Sequence, residues 1–170
     1  KLITHAEALL RLELPKIEAE LAHRMVDPKA AKAAKAITKG LNASPGAGVG
    51  RAVFTSRDAE IRAARGEKVV LVRDETSPDD LRGMMASEAI ITARGGMTSH
   101  AAVVARGQGK PAVVGAKELN IDLKKKEFIA GGVTIKEGDW LTIDGTTGNI
   151  YPGQLATAES EIEQVQRGMI

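Results

Sequence analysis

The sequence predicts an α/β fold in which a partly parallel sheet is flanked by helices and followed by a smaller β-rich region. Between residues 68 and 107, apolar runs alternate with helical segments in the order strand, helix, strand, helix. After residue 128, short β-type segments separated by glycine turns replace that alternation. The 170 residues are 43% hydrophobic but only 2% aromatic, so we expect a core of Ala, Val, Ile and Leu.

Composition narrows the classes of function. The formal net charge of +2 is too near neutral to indicate binding to nucleic acid or to a membrane surface. The absence of cysteine excludes disulfides and thiolate metal sites. No apolar run approaches the length of about 18 residues that spans a membrane, and no signal peptide is visible. We therefore expect a soluble, cytoplasmic protein, and the start at Lys1 leads us to expect a part of a longer chain.

Residues 1–39 are predicted to be a helical linker that follows another domain. Apolar residues recur there at spacings of four after Pro15, and the Ala/Lys-rich stretch 29–39 favours helix but has little to bury. His5 and His23 are expected to be surface residues, because no carboxylate or second histidine recurs at the spacing of a metal site.

A composition shift at Gly40 marks the predicted start of the main domain, residues 40–154. The glycines of residues 44–51 suggest a nucleotide loop, but Arg51 stands where that fingerprint needs its last glycine, and a strand rather than a helix follows. We interpret these glycines as a turn and a place of close backbone approach. A second helical linker, leading to a following domain, is expected over 155–170.

The elements of the main domain follow from apolar runs and their flanking signals. A helix is predicted over 57–66 and ends at a glycine, and a second follows hydroxyl caps and a proline and continues to residue 86. Asp144 and Gly145 indicate a turn rather than a metal loop, and Trp140 and Tyr151 are expected to be packing residues. The predicted strands cover 52–54, 68–72, 89–92, 111–115, 128–130, 133–135, 140–143 and 149–151.

Residues 93–107 form the most informative stretch, a Gly-Gly turn that leads into a helix of small residues. Thr98 and Ser99 are candidate N-caps, because a hydroxyl accepts hydrogen bonds from the unpaired amides of a first helical turn. His100 then lies at or next to the helix N-terminus, where N–H groups and the positive end of the dipole converge. This position favours a neutral, nucleophilic ring, and it stabilises negative charge after a phosphoryl group is accepted. The alternative is a histidine that only caps or packs.

Two further sets of residues are candidates for the same site. Parallel strands with right-handed crossovers start both neighbouring helices at one sheet edge, so Thr76 and Ser77 are predicted to lie near His100 and to orient it. Arg94 and Arg106 bracket the motif and are candidates for pairing with phosphate, or are surface or structural arginines. The candidate cradle for phosphate oxygens consists of Gly95, Gly96, Thr98 and Ser99.

The string from residue 95 to 111, Gly-Gly-Met-Thr-Ser-His-Ala-Ala-Val-Val-Ala-Arg-Gly-x-Gly-Lys-Pro, closely resembles the phosphohistidine motif of the pyruvate, phosphate dikinase family. The wider group of phosphoenolpyruvate (PEP)-utilising enzymes shares the Gly-Gly-x-x-x-His core and the Ala-Arg after it. The segment Ala-Ser-Pro-Gly at 43–46 is similar to the start of the same domain. The resemblance implies a swivelling β/β/α phosphohistidine domain in which His100 is transiently phosphorylated at Nε2.

It further implies a phosphotransferase that converts ATP, pyruvate and phosphate to AMP, PEP and diphosphate. The domain would swivel between an ATP-grasp nucleotide-binding domain and a TIM-barrel PEP/pyruvate domain of the same chain. Mg²⁺ would belong to those domains, whereas this one would bind no metal or cofactor and would not turn over alone. In some members a regulatory kinase/phosphatase phosphorylates the residue that matches Thr98, where a dianion would repel the incoming phosphate.

Two alternatives remain open at this stage. One is the equivalent domain of PEP synthase or of Enzyme I of the sugar phosphotransferase system, although Met97 stands where those families usually carry arginine. The other is a non-catalytic interaction module of the same fold, in which His100 serves only as a cap.

Overall fold

The computed structural model describes residues 23–160, together with Glu7 and Gly168. Its helices are α1 (Pro28–Ala33), α2 (Ser56–Ala64), α3 (Leu81–Ala86) and α4 (His100–Gly107), and a 3-10 turn at Pro78–Asp80 leads into α3. Its strands, numbered in chain order, are β1 (Met25–Val26), β2 (Thr38–Lys39), β3 (Leu41–Ser44), β4 (Ala47–Val53), β5 (Val69–Arg73), β6 (Ala89–Thr92), β7 (Ala112–Val114), β8 (Asn120–Asp122), β9 (Glu127–Ala130), β10 (Val133–Lys136), β11 (Trp140–Asp144), β12 (Asn149–Pro152) and β13 (Thr157–Ala158).

Within this described part, a mixed eight-stranded sheet has the order β2-β12-β11-β4-β5-β6-β7-β3. Strands β4, β5, β6 and β7 are parallel neighbours, whereas the outer strands pair antiparallel. A smaller antiparallel sheet consists of β8, β9 and β10. Strands β1 and β13 pair with each other, near the two ends of the described chain.

Strand β5 divides the core in two, because alternate residues of a strand point to opposite faces of the sheet. Val69 and Leu71 pack on the helical side, and Val70 and Val72 pack on the side of the smaller sheet. All four are fully buried, and burial of such a side chain stabilises the fold by about 1.5–3 kcal/mol. The helices contribute Ala59, Met84, Ala101, Ala102 and Ala105 to one cluster, and the smaller sheet contributes Phe128, Ala130 and Ile135 to the other.

The result is three layers: the smaller sheet, the main sheet and the helices. The predicted α/β class, with a partly parallel sheet, flanking helices and a small β-rich region, is confirmed. The continuous apolar run at 68–72 reflects a strand that is covered on both faces. No helix in the part of the chain described here is long and apolar enough to cross a membrane.

The helical linkers predicted at residues 1–39 and 155–170 lie largely outside the described residues, and for those residues they stay predictions. The domain boundary at Gly40 also stays a prediction. Where the structure describes them, Glu7 and α1 are helical, whereas the expectation of helix is wrong at residues 25–26, 38–39 and 157–158, which are strands. Strand β1 pairs with β13, and β2 pairs with β12 at the edge of the main sheet. Val26 and Ile37 are 5% and 7% exposed. These segments therefore bury apolar side chains and satisfy their backbone by sheet pairing, which helix propensity alone does not reveal.

The glycines of residues 44–51 act as the sequence predicts, through a turn and close backbone approach. Gly46 has a φ of +106°, a conformation that suits glycine. A Cβ at Gly48 would lie 2.5 Å from the Cβ of Ala89, and one at Gly50 would lie 2.8 Å from the carbonyl carbon of Val69. Glycine at these two positions is therefore needed for β4 to pack closely against Val69 and Ala89 of the same sheet.

The turn after β11 is also as predicted. The Asp144 carboxylate accepts hydrogen bonds from the amides of Thr146 and Thr147, at 3.0 and 3.1 Å, which is the geometry of an Asx turn. Trp140 lies under the Arg51 guanidinium, 4.8 Å from the ring centroid, and Tyr151 is 4% exposed. Both aromatic residues are packing residues.

Lys126 links the smaller sheet to the helical layer. It lies just before β9, and its Nζ donates a hydrogen bond to Oδ2 of Asp58 on α2 at 2.8 Å. Glu137 Oε2 lies 3.4 Å from the same ammonium group. The hydrogen bond from Lys126 lowers the pKa of Asp58, and the hydrogen bond to Asp58 raises the pKa of Lys126.

Replacement of Gly83 should destabilise the contact between α2 and α3. A Cβ at this position would lie 2.4 Å from Ser56 Oγ and 2.5 Å from Ser56 Cα, so Gly83→Ala is expected to cost about 1–3 kcal/mol through overpacking. Gly107→Ala is the matched control, because a Cβ there meets nothing within 4 Å, and it should be neutral or stabilise by up to about 1 kcal/mol. Urea denaturation measures both, and equal effects would contradict the close contact.

Stability should depend on pH through Asp58. Because its pKa in the folded protein lies below the ordinary value of 3.8, its stabilising contribution is fully present above that value and is lost as the pH falls through the folded pKa. Asp58→Asn should lower the melting temperature at pH 7 by on the order of a few degrees, since the pair is partly exposed. The difference from the wild type should shrink towards pH 3 (roughly one unit below the ordinary pKa), and a constant difference would contradict this role.

Candidate functional site

The site lies at the carboxyl edge of two neighbouring parallel strands. Strands β5 and β6 pair in a register that sets Arg73 beside Thr92. Their pairing continues past the strand ends, because the amides of Ala93 and Arg94 donate to the carbonyls of Arg73 and Asp74 at 3.1 and 2.9 Å. The loop after β5 and the loop after β6 therefore leave the sheet side by side.

His100 is the first residue of α4, and Ser99 is its N-cap. The Ser99 hydroxyl accepts a hydrogen bond from the amide of Ala102 at 3.4 Å. Ala101 and Ala102 are buried against the sheet, and such small side chains allow the start of the helix to approach it closely. The imidazole is half-buried, at a helix start where unpaired amides and the dipole favour negative charge.

Thr76 contacts the imidazole directly. Its Oγ1 lies 3.2 Å from Nδ1 of His100, and which of the two donates depends on the tautomer of the ring. Thr76 is 7% exposed. Ser77, the other residue predicted to orient the histidine, instead caps the turn that leads into α3, where its amide donates to Asp80 Oδ2 at 2.9 Å. The structure thus brings Thr76, rather than Ser77, to the ring.

An ion pair between the half-buried Arg73 and the buried Asp80 supports the loop that carries Thr76, and the sequence did not predict it. Asp80 is 4% exposed, and its Oδ1 lies 3.4 Å from Nε of Arg73. Arg73 also donates from Nη1 to the carbonyl of Phe54 at 3.2 Å. The available signal was a charged residue at the end of an otherwise apolar strand, followed by an acidic residue in the next helical turn.

The loop between β6 and α4 turns its carbonyl groups towards the protein. The Thr92 hydroxyl donates to the carbonyl of Arg94 at 2.7 Å. The carbonyl oxygen of Gly95 lies against Gly115, where a Cβ would approach it to 2.6 Å. Gly115 has a φ of +63° and follows β7 directly, so it is a second supporting residue that the motif did not reveal. A glycine at the end of an apolar strand was its signal.

These contacts determine where the amides of the loop point. Every described peptide bond is trans, and a trans peptide directs its N–H opposite to its C=O. With the carbonyls of Arg94 and Gly95 facing the protein, the amides of Gly95 and Gly96 face outward, towards the exposed side of the loop. Successive outward amides form an anion-binding concavity. Gly96 leaves it open, because a Cβ there would meet nothing within 4 Å.

The two arginines that bracket the motif differ in their surroundings. Arg94 has a side chain that is 72% exposed and forms an ion pair with Asp74. Arg106 donates to two backbone carbonyls, those of Ala43 and Met97. Thr98 is exposed beside the loop. Among residues 23–160, no group of three or more His, Cys, Asp or Glu side chains is arranged to hold a metal ion.

Much of this chain is similar in sequence to known proteins. Residues 65–148 match the family described as the mobile domain of PEP-utilising enzymes. The chain is 47% identical over 161 residues to a pyruvate, phosphate dikinase of Clostridium symbiosum. It is 46% identical over 157 residues to pyruvate, phosphate dikinase 1, chloroplastic, of Arabidopsis thaliana. These alignments cover 95% and 92% of this chain but only 18% and 16% of the relatives.

A solved structure of an Enzyme I protein also matches, with 27% sequence identity and a TM-score of 0.37, over 61% of this chain and 36% of that one. That superposition is too partial to carry an argument about the fold. The sequence matches carry the assignment, and they include the whole segment from β5 to the end of β11. Residues 65–148 are a mobile domain of the PEP-utilising enzyme family.

Proposed function

We propose that the chain is the phosphoryl-carrier domain of a pyruvate, phosphate dikinase. In this proposal His100 accepts a phosphoryl group at one active site and delivers it at another, within the conversion of ATP, pyruvate and phosphate to AMP, PEP and diphosphate. The observation that carries the proposal is the Thr76 hydroxyl 3.2 Å from Nδ1 of His100. In this proposal Nδ1 carries the ring proton and donates it to Thr76 Oγ1, which leaves the lone pair of Nε2 as the nucleophile.

The proposed transfer makes one bond to His100 and breaks one bond in the donor. Because the products are AMP and diphosphate, the Nε2 lone pair attacks Pβ of ATP, and the bond from Pβ to the oxygen that bridges to Pα breaks, so that AMP departs with the bonding electrons. Inorganic phosphate then attacks the terminal phosphorus and leaves as diphosphate, and one phosphoryl group stays on Nε2. The proton on Nδ1 stays on the ring and is donated to Thr76 Oγ1. The transferred group gains hydrogen bonds from the outward amides of Gly95 and Gly96, which stabilise its charge without reorganising. The reverse steps transfer the group to the enolate oxygen of pyruvate.

The donor and acceptor sites belong to other domains in this proposal. An ATP-grasp domain supplies the phosphoryl group, and a TIM-barrel domain binds pyruvate or PEP. Both belong to the same cytoplasmic parent chain. The curated relatives are several times longer than this chain, which spans only 18% of the Clostridium symbiosum dikinase. Transfer between such sites relies on Mg²⁺ that neutralises the moving group, and that metal is bound there. This domain needs no cofactor, and by itself it carries phosphate without turning over.

Arg94 and Thr98 complete the proposed site. An exposed ion pair such as that of Arg94 with Asp74 contributes little to stability, so the guanidinium is available to pair with an incoming phosphate. Thr98 is exposed two residues before the nucleophile, where a regulatory kinase has access to its hydroxyl. A phosphate on Thr98 would repel the phosphoryl group destined for His100 and so would inhibit transfer.

The carrier role predicts selective phosphorylation of one histidine. Phosphoramidate, a small donor that phosphorylates histidine, should add one acid-labile phosphate to His100 faster than to His5 or His23. Intact mass and ³¹P NMR measure the gain and the ring position, and His100→Gln should abolish it while His23→Gln should not. Equal reactivity of all three histidines in the folded chain would contradict the proposal.

A chimera tests the dikinase assignment itself. This chain would replace the matching segment of the Clostridium symbiosum dikinase, to which it is 47% identical. PEP formation from ATP, pyruvate and phosphate should persist in the chimera and fall to background with His100→Gln. A folded chimera that binds nucleotide but forms no PEP would overturn the assignment.

The role of Thr76 predicts a change in the position of phosphorylation. Thr76→Val removes the partner of Nδ1 at nearly constant volume, so phosphoramidate should give a mixture of Nδ1 and Nε2 phosphohistidine instead of Nε2 alone. Loss of this hydrogen bond should also slow the reaction by about 3- to 10-fold. Thr76→Ser keeps the hydroxyl and should restore both values. An unchanged ³¹P spectrum for Thr76→Val would show that Thr76 does not direct the ring.

A further inference from the structure

Arg106 lies on α4, six residues after the proposed nucleophile, and reaches back over the motif loop. Its Nη2 donates to the carbonyl of Met97 at 2.7 Å, and its Nη1 donates to the carbonyl of Ala43 at 3.1 Å. Ala43 is 2% exposed and belongs to β3, which pairs with β7. The guanidinium therefore ties the loop to a rigid edge of the main sheet.

We propose that Arg106 is a positioning residue that holds the Met97–Thr98 peptide with its carbonyl turned away from the phosphoryl group, and is not itself a ligand of phosphate. The inference rests on the proposed function of His100. Both terminal nitrogens of Arg106 already donate to backbone carbonyls. Arg94 contrasts with it in its partner, because the Arg94 guanidinium pairs with the exposed carboxylate of Asp74, although both arginines are exposed.

The orientation of this peptide matters because a trans peptide presents opposite charge on its two sides. While Arg106 holds the Met97 carbonyl, the amide of Thr98 points away from Arg106, and in the proposal it joins the outward amides of Gly95 and Gly96 around the phosphoryl group. Without that hold, the peptide can rotate, which removes one donor from the concavity and brings a carbonyl oxygen towards the phosphate. A carbonyl dipole in that orientation repels the dianion that the other amides attract.

The other supports of the loop act on different peptides. Thr92 holds the carbonyl of Arg94, and Gly115 lies against the carbonyl of Gly95. The amide of Gly96 is thus oriented independently of Arg106. This separation makes the proposal testable residue by residue, since loss of Arg106 should disturb the amide of Thr98 and leave that of Gly96 in place.

The test compares Arg106→Gln with Arg94→Gln, two neutral variants of arginines from the same motif. Each chain is phosphorylated with phosphoramidate, and the amide resonances are followed by ¹H–¹⁵N NMR. In the phosphorylated wild type and the phosphorylated Arg94→Gln variant, the amides of Gly96 and Thr98 should both be shifted downfield, and Arg94→Gln should lower only the rate, because its guanidinium is proposed to pair with the incoming phosphate. In Arg106→Gln the shift of Thr98 should be lost and that of Gly96 kept, with phosphorylation slowed by about 10- to 150-fold, as expected for loss of a hydrogen bond from a charged group.

Arg106→Lys separates the position of the charge from its presence. Lysine keeps the charge but has no fork that reaches two carbonyls at once. It should therefore restore the phosphorylation rate only in part. In the phosphorylated Arg106→Lys variant, the downfield shift of the Thr98 amide should be present but smaller than in the wild type. Full rescue by lysine, or a Thr98 shift that persists in Arg106→Gln, would overturn the proposal and favour Arg106 as a phosphate ligand. Arg106→Lys carries the test if Arg106→Gln does not fold. Failure of the wild type to be phosphorylated at His100 would instead refute the proposed function.

Discussion

The parallel pairing of β5 with β6 is the constraint on which the site depends. Because the two strands run in the same direction, the loops that follow them leave the sheet at one edge, and Thr76 meets His100 although 24 residues separate them. The helical and sheet layers fix those strands from both faces, through residues that are fully buried. A shift of either strand by one residue would exchange the two faces and destroy both cores.

Most of the polar groups that the site presents are backbone N–H groups rather than side chains. The loop before α4 is short, and its carbonyls are held by Thr92, by Gly115 and by Arg106. The result is a surface of amide donors beside a helix N-terminus, assembled without metal ligands and with few charged side chains. In the proposed function, such a surface stabilises a phosphoryl group mainly through backbone amides, and Arg94, whose ion pair with Asp74 is exposed, is the charged side chain that would pair with it.

Glycine has two different functions in this architecture. Within β4, Gly48 and Gly50 allow neighbouring backbone to approach more closely than a Cβ would permit, and this brings the chain before β6 against the sheet. At Gly115 the positive φ and the contact with the Gly95 carbonyl link the end of β7 to the motif loop. The first function serves packing, whereas the second reaches the site itself. Only the tertiary structure distinguishes the two functions.

The sequence by itself determined the order of the elements from β5 to α4, the caps that begin the helices and the position of His100 at a helix start, because these follow from local periodicity and from local hydrogen bonding. The tertiary structure decided that Thr76 rather than Ser77 meets the ring, and that Arg106 bonds to Met97 and Ala43. It also decided that residues 25–26 and 38–39 are strands. These features depend on partners distant in the chain, and no local pattern encodes which distant backbone a segment will pair with.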